Sequence, residues 1–166
     1  MVDFCEDLWT VIPPSSYHAI AGATVCINLS ASNELVAKSE YRRLLINQQS
    51  ARCIGAYAYA SSGVNESTTD LVFGGHALIA ENGGILEENE SFEEGSSLIY
   101  SDIDCERLFY IRISESLFSD LELPAEQVYD NVKISTINHI DSLKRYVNKH
   151  PFVPSSQAER NKRCDE

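Results

Sequence analysis

Three short β-rich runs, at residues 2–5, 24–29 and 55–60, alternate with two stretches of helical pattern, and this alternation limits the fold more than any other feature of the chain. Parallel strands cannot be joined by a tight turn; they need a crossover of about a dozen residues or more, usually a helix. Both gaps have room for one. Pro13-Pro14-Ser15 breaks the first run, and Ser15 or Ser16 is placed to cap a short helix through Ala21 that Gly22 ends. Residues 34–53 then set Leu44, Leu45, Ala51 and, just beyond, Ile54 among charged residues, which predicts a long amphipathic helix with Tyr41-Arg42-Arg43 in its first half. The order strand, helix, strand, helix, strand is that of a layered α/β protein. Thr24-Val25-Cys26-Ile27-Asn28-Leu29 is apolar almost throughout, as expected of a strand covered on both faces.

From Asn65 the pattern changes. Asp70-Leu71-Val72-Phe73, a Gly74-Gly75 turn, residues 76–80, an Asn82-Gly83-Gly84 turn and residues 85–87 read as antiparallel hairpins at a sheet edge. Residues 87–95 are an acidic exposed loop, 97–104 a further strand and 105–114 a helix. Residues 115–137 show no clear period, with a strand expected at 132–135, and 139–148 is read as a helix. Pro151 and Pro154 enforce an extended segment, after which Ser155-Ser156-Gln157 opens a capped final helix. Both ends are expected to be cut: the first strand has no preceding helix to cover it, and the last helix has nothing to pack on.

Composition narrows the function classes. The 166 residues, 43% of them hydrophobic, suffice for one folded domain. Twenty-five acidic against 13 basic residues give a formal charge of -12, which repels nucleic acid and anionic membranes. No apolar run approaches the ~20 residues that span a bilayer, and no signal-peptide pattern opens the chain, so the cytoplasm is the expected location. Cys5, Cys26, Cys53, Cys105 and Cys164 are odd in number and irregularly spaced; they are read as reduced thiols, with Cys26 and Cys53 as small core residues.

Cys5 is the candidate nucleophile. It stands at the end of the first strand, where open α/β sheets place their sites, but Glu6 and Asp7 follow it directly. A thiol reacts as thiolate, from a free pKa of roughly 8.5, and neighbouring carboxylates oppose that ionisation. Asn28-Leu29-Ser30-Ala31-Ser32-Asn33 forms a second polar tip, which parallel pairing would bring to the same edge. His18, His76, His139 and His150 are scattered without metal-ligand spacing, and neither glycine pair has the spacing of a nucleotide loop. The segment from Glu66 to Asp70 either caps the hairpin beside the site or contacts substrate, and capping is the favoured reading.

The blocks Cys5-Glu6-Asp7-Leu8-Trp9, Ile12-Pro13-Pro14-Ser15, Ala21-Gly22-Ala23, Asn28-Leu29-Ser30-Ala31-Ser32, Arg42-Arg43, Ala51-Arg52-Cys53 and Glu66-Ser67-Thr68-Thr69-Asp70, in this order, closely resemble the glutaminase domain of glutamine-dependent NAD synthetases, a branch of the nitrilase or carbon-nitrogen hydrolase superfamily. The match runs from about Asp3 through Asn82-Gly83, and Pro151-Phe152-Val153-Pro154 with Glu159-Arg160 and Arg163-Cys164 looks like the junction to a synthetase domain. The resemblance implies an incomplete nitrilase-type αββα sandwich with a mixed sheet. Residues 1–154 would be the C-terminal part of the glutaminase domain and 155–166 the start of a linker. It also implies a Glu-Lys-Cys triad that hydrolyses the side-chain amide of L-glutamine. By position Cys5 is its nucleophile, the Glu6 N–H belongs to the oxyanion hole, and the Glu6 carboxylate, Ser32 and Lys38 hold the zwitterionic substrate.

The glutamate and lysine of that triad precede the cysteine in the family, and only Met1-Val2-Asp3-Phe4 do so here; Glu34, Glu40, Lys38 and Lys133 stand at the wrong motif positions. Losing one oxyanion donor alone costs roughly 100- to 1000-fold in rate, so the chain by itself is expected to be nearly inactive. The glutaminase part needs no cofactor. ATP, Mg2+ and nicotinate adenine dinucleotide would belong to the missing synthetase domain, and the complete enzyme would be a homo-oligomer. Two other readings are a free-standing amidase of the same superfamily and a non-catalytic assembly module whose sheet edge seeks a partner chain.

Overall fold

Val2–Phe4 (β1), Val25–Ser30 (β2) and Ala56–Ser61 (β3) lie side by side in parallel, with Phe4 opposite Leu29 and Ser30 opposite Ser61. Ala77–Glu81 (β4) pairs antiparallel with β3, and Gly84–Glu88 (β5) antiparallel with β4, completing a five-stranded mixed sheet in chain order. The computed structural model describes residues 1–118, 120–124, 128–135, 142–147, 153–154 and 156–165. Pro14–Ile20 (α1) and Lys38–Arg52 (α2) are the two crossovers, and both lie on one face of the sheet, as right-handed connections between successive parallel strands require. Among the described residues no helix is long and apolar enough to cross a membrane.

The core fills the gap between that face and the helices. Leu8, Cys26, Ile46, Tyr57, Tyr59, Leu78 and Ala80 are buried together, with Ile46 the contribution of α2. Ser15 and Ser16 do not cap α1: Pro13 holds the cap position and Pro14 the first helical one, where its missing N–H costs nothing. Both hydroxyls instead accept from the Gln49 side chain, at 3.1 and 3.0 Å, and so tie α1 to α2. α2 starts at Lys38 and not at residue 34, because Glu34 spends its N–H on the Val72 carbonyl at 2.7 Å and Ala37 is left-handed, with φ of 64°. Its residues 42, 46, 49 and 50 form the buried stripe.

The expectation that β2 is covered on both faces fails. Its alternate residues Cys26 and Asn28 are buried under the helices, while Ile27 and Leu29 on the opposite face are 42% and 52% exposed, beside an exposed Val2 and Phe4. Leu98 and Ile99 reach part of this face, leaving a groove of about 200 Å3 with Ile27, Ala58, Ala60 and Ile79.

The second hairpin forms as expected, with Asn82 and Gly83 at φ of 45° and 83° in a turn whose Gly83 N–H is held by the Ser50 hydroxyl at 3.0 Å. The first does not. Residues 70–73 are no strand, since the Phe73 N–H goes to the Ser67 hydroxyl and the Thr68 N–H to the Leu71 carbonyl. Residues 97–104 are also irregular; side chains take the bonds a ladder would need, as when Asp104 N–H donates to Glu81 Oε2 at 2.8 Å.

Cys105–Ser114 (α3) is helical, capped by Asp104, which accepts from the Arg107 N–H at 2.9 Å. Its Arg112 reaches into the core and donates to the carbonyls of Ile54, Cys53 and Ala23 at 2.9, 2.7 and 2.8 Å, at the C-terminal end of α2 where the helix dipole favours a cation. Residues 132–135 are not a strand and 142–147 are not helical; the remainder of the helix expected at 139–148, and the first half of the Pro151 to Pro154 segment, lie outside the described residues. Gln157–Asp165 (α4) is the expected last helix, with the Ser156 hydroxyl accepting from the Glu159 N–H at 3.1 Å.

Candidate active site

Parallel pairing puts the C-terminal ends of β1, β2 and β3 on one edge of the sheet, and the polar tips gather there. Cys5 follows β1 directly and opens a 3-10 helix, Cys5–Trp9, with a φ of 33°. A left-handed cysteine between a strand and a helical turn is strained backbone of the kind that accumulates at reactive sites. The turn is held from below by buried Leu8 and from the side by Asp7, whose Oδ2 accepts the Phe4 N–H at 2.7 Å. One of the two carboxylates behind the thiol is thus occupied in shaping the turn; the other, on Glu6, is exposed.

The second tip is the loop 31–37 between β2 and α2. Ser32 is buried, and its hydroxyl has no hydrogen-bond partner among the described residues. Lys38 stands over the Trp9 ring, 5.3 Å from its centroid, and donates to Asn33 Oδ1 at 2.7 Å. Its pKa is lowered, first by partial burial and then by the Arg42 charge, against the opposing fields of Glu34 and Cys5. Trp9 also packs on Tyr41 of α2, with centroids 5.7 Å apart. The structure therefore draws Cys5, Trp9 and Lys38 to one corner of the edge, with Ser32 in the loop that precedes Lys38. Among the described residues no hydrogen bond or ion pair joins the Glu6 carboxylate to the others.

Between Glu66 and Asp70 the capping is done by Ser67 and Thr68, whose hydroxyls accept from Phe73 and from Asp70 and Leu71. Glu66 and Asp70 are exposed. His18 is the partner of buried Asp3, with Nε2 at 3.2 Å from Oδ1, while Asp3 Oδ2 accepts from Tyr57 at 2.9 Å and from Cys26 at 3.3 Å. Among the described residues no three His, Cys, Asp or Glu side chains converge as a metal site would need.

Sequence reasoning missed a second cluster at the same edge. Arg42, fully buried on α2, donates to Glu34 Oε1 at 2.7 Å and to His76 Nδ1 at 3.0 Å, with its guanidinium carbon 5.5 Å from the Tyr59 ring centroid. His76 in turn meets Glu88 Oε1 at 2.9 Å, and Glu88 Oε2 accepts from Arg43 at 2.8 Å. His76 just precedes β4 and Glu88 ends β5, so the antiparallel hairpin returns both to the edge that carries Cys5. No local signal marks this cluster; only the register of the hairpin assembles it.

No protein-family model matches the chain. The glutamine-dependent NAD(+) synthetase of Mycobacterium tuberculosis strain H37Rv is 37% identical over 175 aligned residues, which take in 99% of this chain and 25% of the relative. The chain therefore spans about a quarter of that relative's length. Among solved structures, a carbon-nitrogen hydrolase from Helicobacter pylori G27 superposes with a TM-score of 0.59 at 19% identity, over 72% of this chain and 45% of that one. Nit3 of Saccharomyces cerevisiae, a member of branch 10 of the nitrilase superfamily, superposes with a TM-score of 0.56 at 24% identity, over 70% and 41%. These two establish the fold alone. An alignment that takes in nearly all of this chain, on a sheet that superposes on nitrilase-superfamily enzymes, makes the chain a homologue of glutamine-dependent NAD(+) synthetases that carries part of the nitrilase fold.

Proposed function

We propose that this chain is the C-terminal part, residues 1–154, of a glutamine-hydrolysing domain that supplies ammonia to NAD(+) synthesis, with residues 155–166 leading toward a synthetase domain. The observation that carries the reading is Cys5, held at a left-handed φ on the C-terminal sheet edge beside Lys38 and the Ser32 loop. In this reading the Cys5 thiolate adds to the side-chain amide carbon of L-glutamine. The Glu6 N–H stabilises the oxyanion, the C–N bond breaks, and ammonia leaves with a proton from a general acid. Water then cleaves the glutamyl thioester, releasing glutamate and restoring the thiol. Lys38 suits the substrate carboxylate, and the exposed Glu6 carboxylate with the unpartnered Ser32 hydroxyl suits its ammonium.

The base and the cation that activate the thiol in such a domain are a glutamate and a lysine outside residues 1–166, and the second sheet of an αββα sandwich would lie on the bare face of β1 to β3. ATP and Mg2+ would act at the synthetase domain: the described residues offer no cluster for the metal, and no step here runs through either. A cytoplasmic location and a homo-oligomeric complete enzyme belong to the same reading. Peptide-level mass spectrometry after treatment with a diazo-ketone analogue of glutamine tests it. Faster labelling of Cys5 than by an electrophile of equal intrinsic reactivity without the amino-acid end is the expected result, with glutamine turnover by this chain at background. Equal labelling by both reagents would overturn the glutamine reading, and turnover well above background would overturn the external supply of the activating pair.

A further inference from the structure

We propose that the side-chain relay Glu88–His76–Arg42–Glu34 is a positioning device that locks the loop 31–37, and through it Ser32 and Lys38, in place to receive the amino-acid end of the substrate. The proposal rests on the glutamine-hydrolysing reading above and adds residues that touch neither the thiol nor the substrate.

The polarity of the relay follows from its chemistry. A guanidinium only donates, so His76 Nδ1 at 3.0 Å from Arg42 Nη1 must accept. The imidazole proton then sits on Nε2 and is donated to Glu88 Oε1 at 2.9 Å. Glu88, held also by Arg43 at 2.8 Å, orients His76; His76 orients Arg42; and Arg42 holds Glu34 at 2.7 Å. Every link has one direction, and Arg42 and His76 are nearly inaccessible to water, so the chain cannot be rearranged by solvent exchange.

The loop needs such a lock because nothing apolar holds its apex: Leu35 and Val36 are 64% and 102% exposed. Glu34 is the fixed point. Its carboxylate is on Arg42, its N–H is on the Val72 carbonyl at 2.7 Å, and its side chain fills the space over Gly74, where a Cβ would come within 2.9 Å of Glu34 Cγ. Ser32 lies two residues before this point and Lys38 four after it, with Asn33 Oδ1 accepting from Lys38 at 2.7 Å between them. A loop pinned at its middle by a charged pair presents both binding groups without ordering them anew at each encounter, which is where affinity is otherwise lost.

The test uses this chain and reads the loop and recognition separately. Hydrogen exchange of the Glu34 amide in His76→Leu should rise about tenfold or more, the loss of one buried hydrogen bond, while the amides between β1 and β2 stay as they were. Labelling of Cys5 by the diazo-ketone analogue should fall about tenfold with labelling by N-ethylmaleimide unchanged. His76→Asn, which keeps an acceptor facing Arg42, should recover most of both. Glu88→Gln, at a partly exposed position, provides a folded variant if His76→Leu unfolds, and should show the same two changes at smaller size. An unchanged Glu34 amide in a folded relay variant, or an equal fall with both reagents, overturns the proposal. Should the wild-type chain show no preference for the glutamine analogue, the glutamine-hydrolysing reading falls, while the exchange data still decide whether the relay locks the loop.

Discussion

The two faces of the sheet are built from the same alternating strands and differ in almost everything else. Under the helices, β1 to β3 present Asp3, Cys26, Asn28, Tyr57 and Tyr59, all buried, the first four joined by a network in which Tyr57 donates to Asp3 at 2.9 Å, Cys26 donates to Asp3 at 3.3 Å and Asn28 donates to Tyr57 at 3.2 Å. The other face presents Val2, Phe4, Ile27 and Leu29, aliphatic or aromatic and open. Hydrogen bonds enclosed this way mark the face that is already packed, although Asp3 Oδ1, Asn28 Oδ1 and the Tyr59 hydroxyl have no hydrogen-bond partner among the described residues. A bare apolar face this continuous marks one made to meet another layer. The helix face should hold the stability of this chain, and the open face should hold very little.

The widest contrast is between two aliphatic residues. Ile46→Ala, in the core under β3 and β4, should cost about 4 kcal/mol in chemical denaturation, and Leu29→Ala about 0.5 kcal/mol or less. Equal costs would mean that the open face is packed in solution. Asp3→Ala comes next, at about 3 kcal/mol, because it strands the Tyr57 hydroxyl and leaves His18 without its carboxylate. The conservative Asp3→Asn should recover part of that loss.

The helix face also titrates. Burial pushes the Cys53 thiol up to about 11, and burial followed by the Asp3 charge pushes Cys26 up as well. Above the ordinary thiol value the unfolded chain gives up protons that the folded chain keeps. Stability is thus full below that value and falls as pH rises toward 11, by at most about 1.4 kcal/mol per pH unit for each thiol. Cys53→Ala should flatten this slope by one proton's worth in denaturation series between neutral and alkaline pH. Smallest is the double change Ile27→Ser with Leu29→Ser: stability should move by about 0.5 kcal/mol, while binding of a hydrophobic dye falls clearly. Retained dye binding would place the sticky surface elsewhere.

The parallel core was legible because each strand carries its own pattern and each gap is long enough for a helix. So was the meeting of Cys5 with the tip that follows β2, since parallel register alone dictates it. What the sequence did not show depends on distant partners. Residues 34–37 look helical until Glu34 is seen bonded to Val72, and residues 70–73 look like a strand until Ser67 takes the Phe73 N–H. The apolar run in β2 records that Ile27 and Leu29 avoid water, not what covers them. His76 carries no motif; its meaning comes from Arg42, 34 positions away, and from Glu88, 12 positions away, aligned by the hairpin.

Arg112 has a consequence for how freely this chain can drift. Its guanidinium is satisfied by three carbonyls, those of Ala23, Cys53 and Ile54, which every amino acid supplies. The side chains at those three positions can change while the anchor of α3 survives. Gly55 is less free, because a Cβ there would sit 3.1 Å from the Thr24 carbonyl and 3.2 Å from Arg112 Nη2, so that one of them would have to give way. Alongside buried Leu108 and the Asp104 bond to Glu81, this part of the attachment of α3 rests on one arginine and one glycine, and a substitution at Gly55 should loosen it.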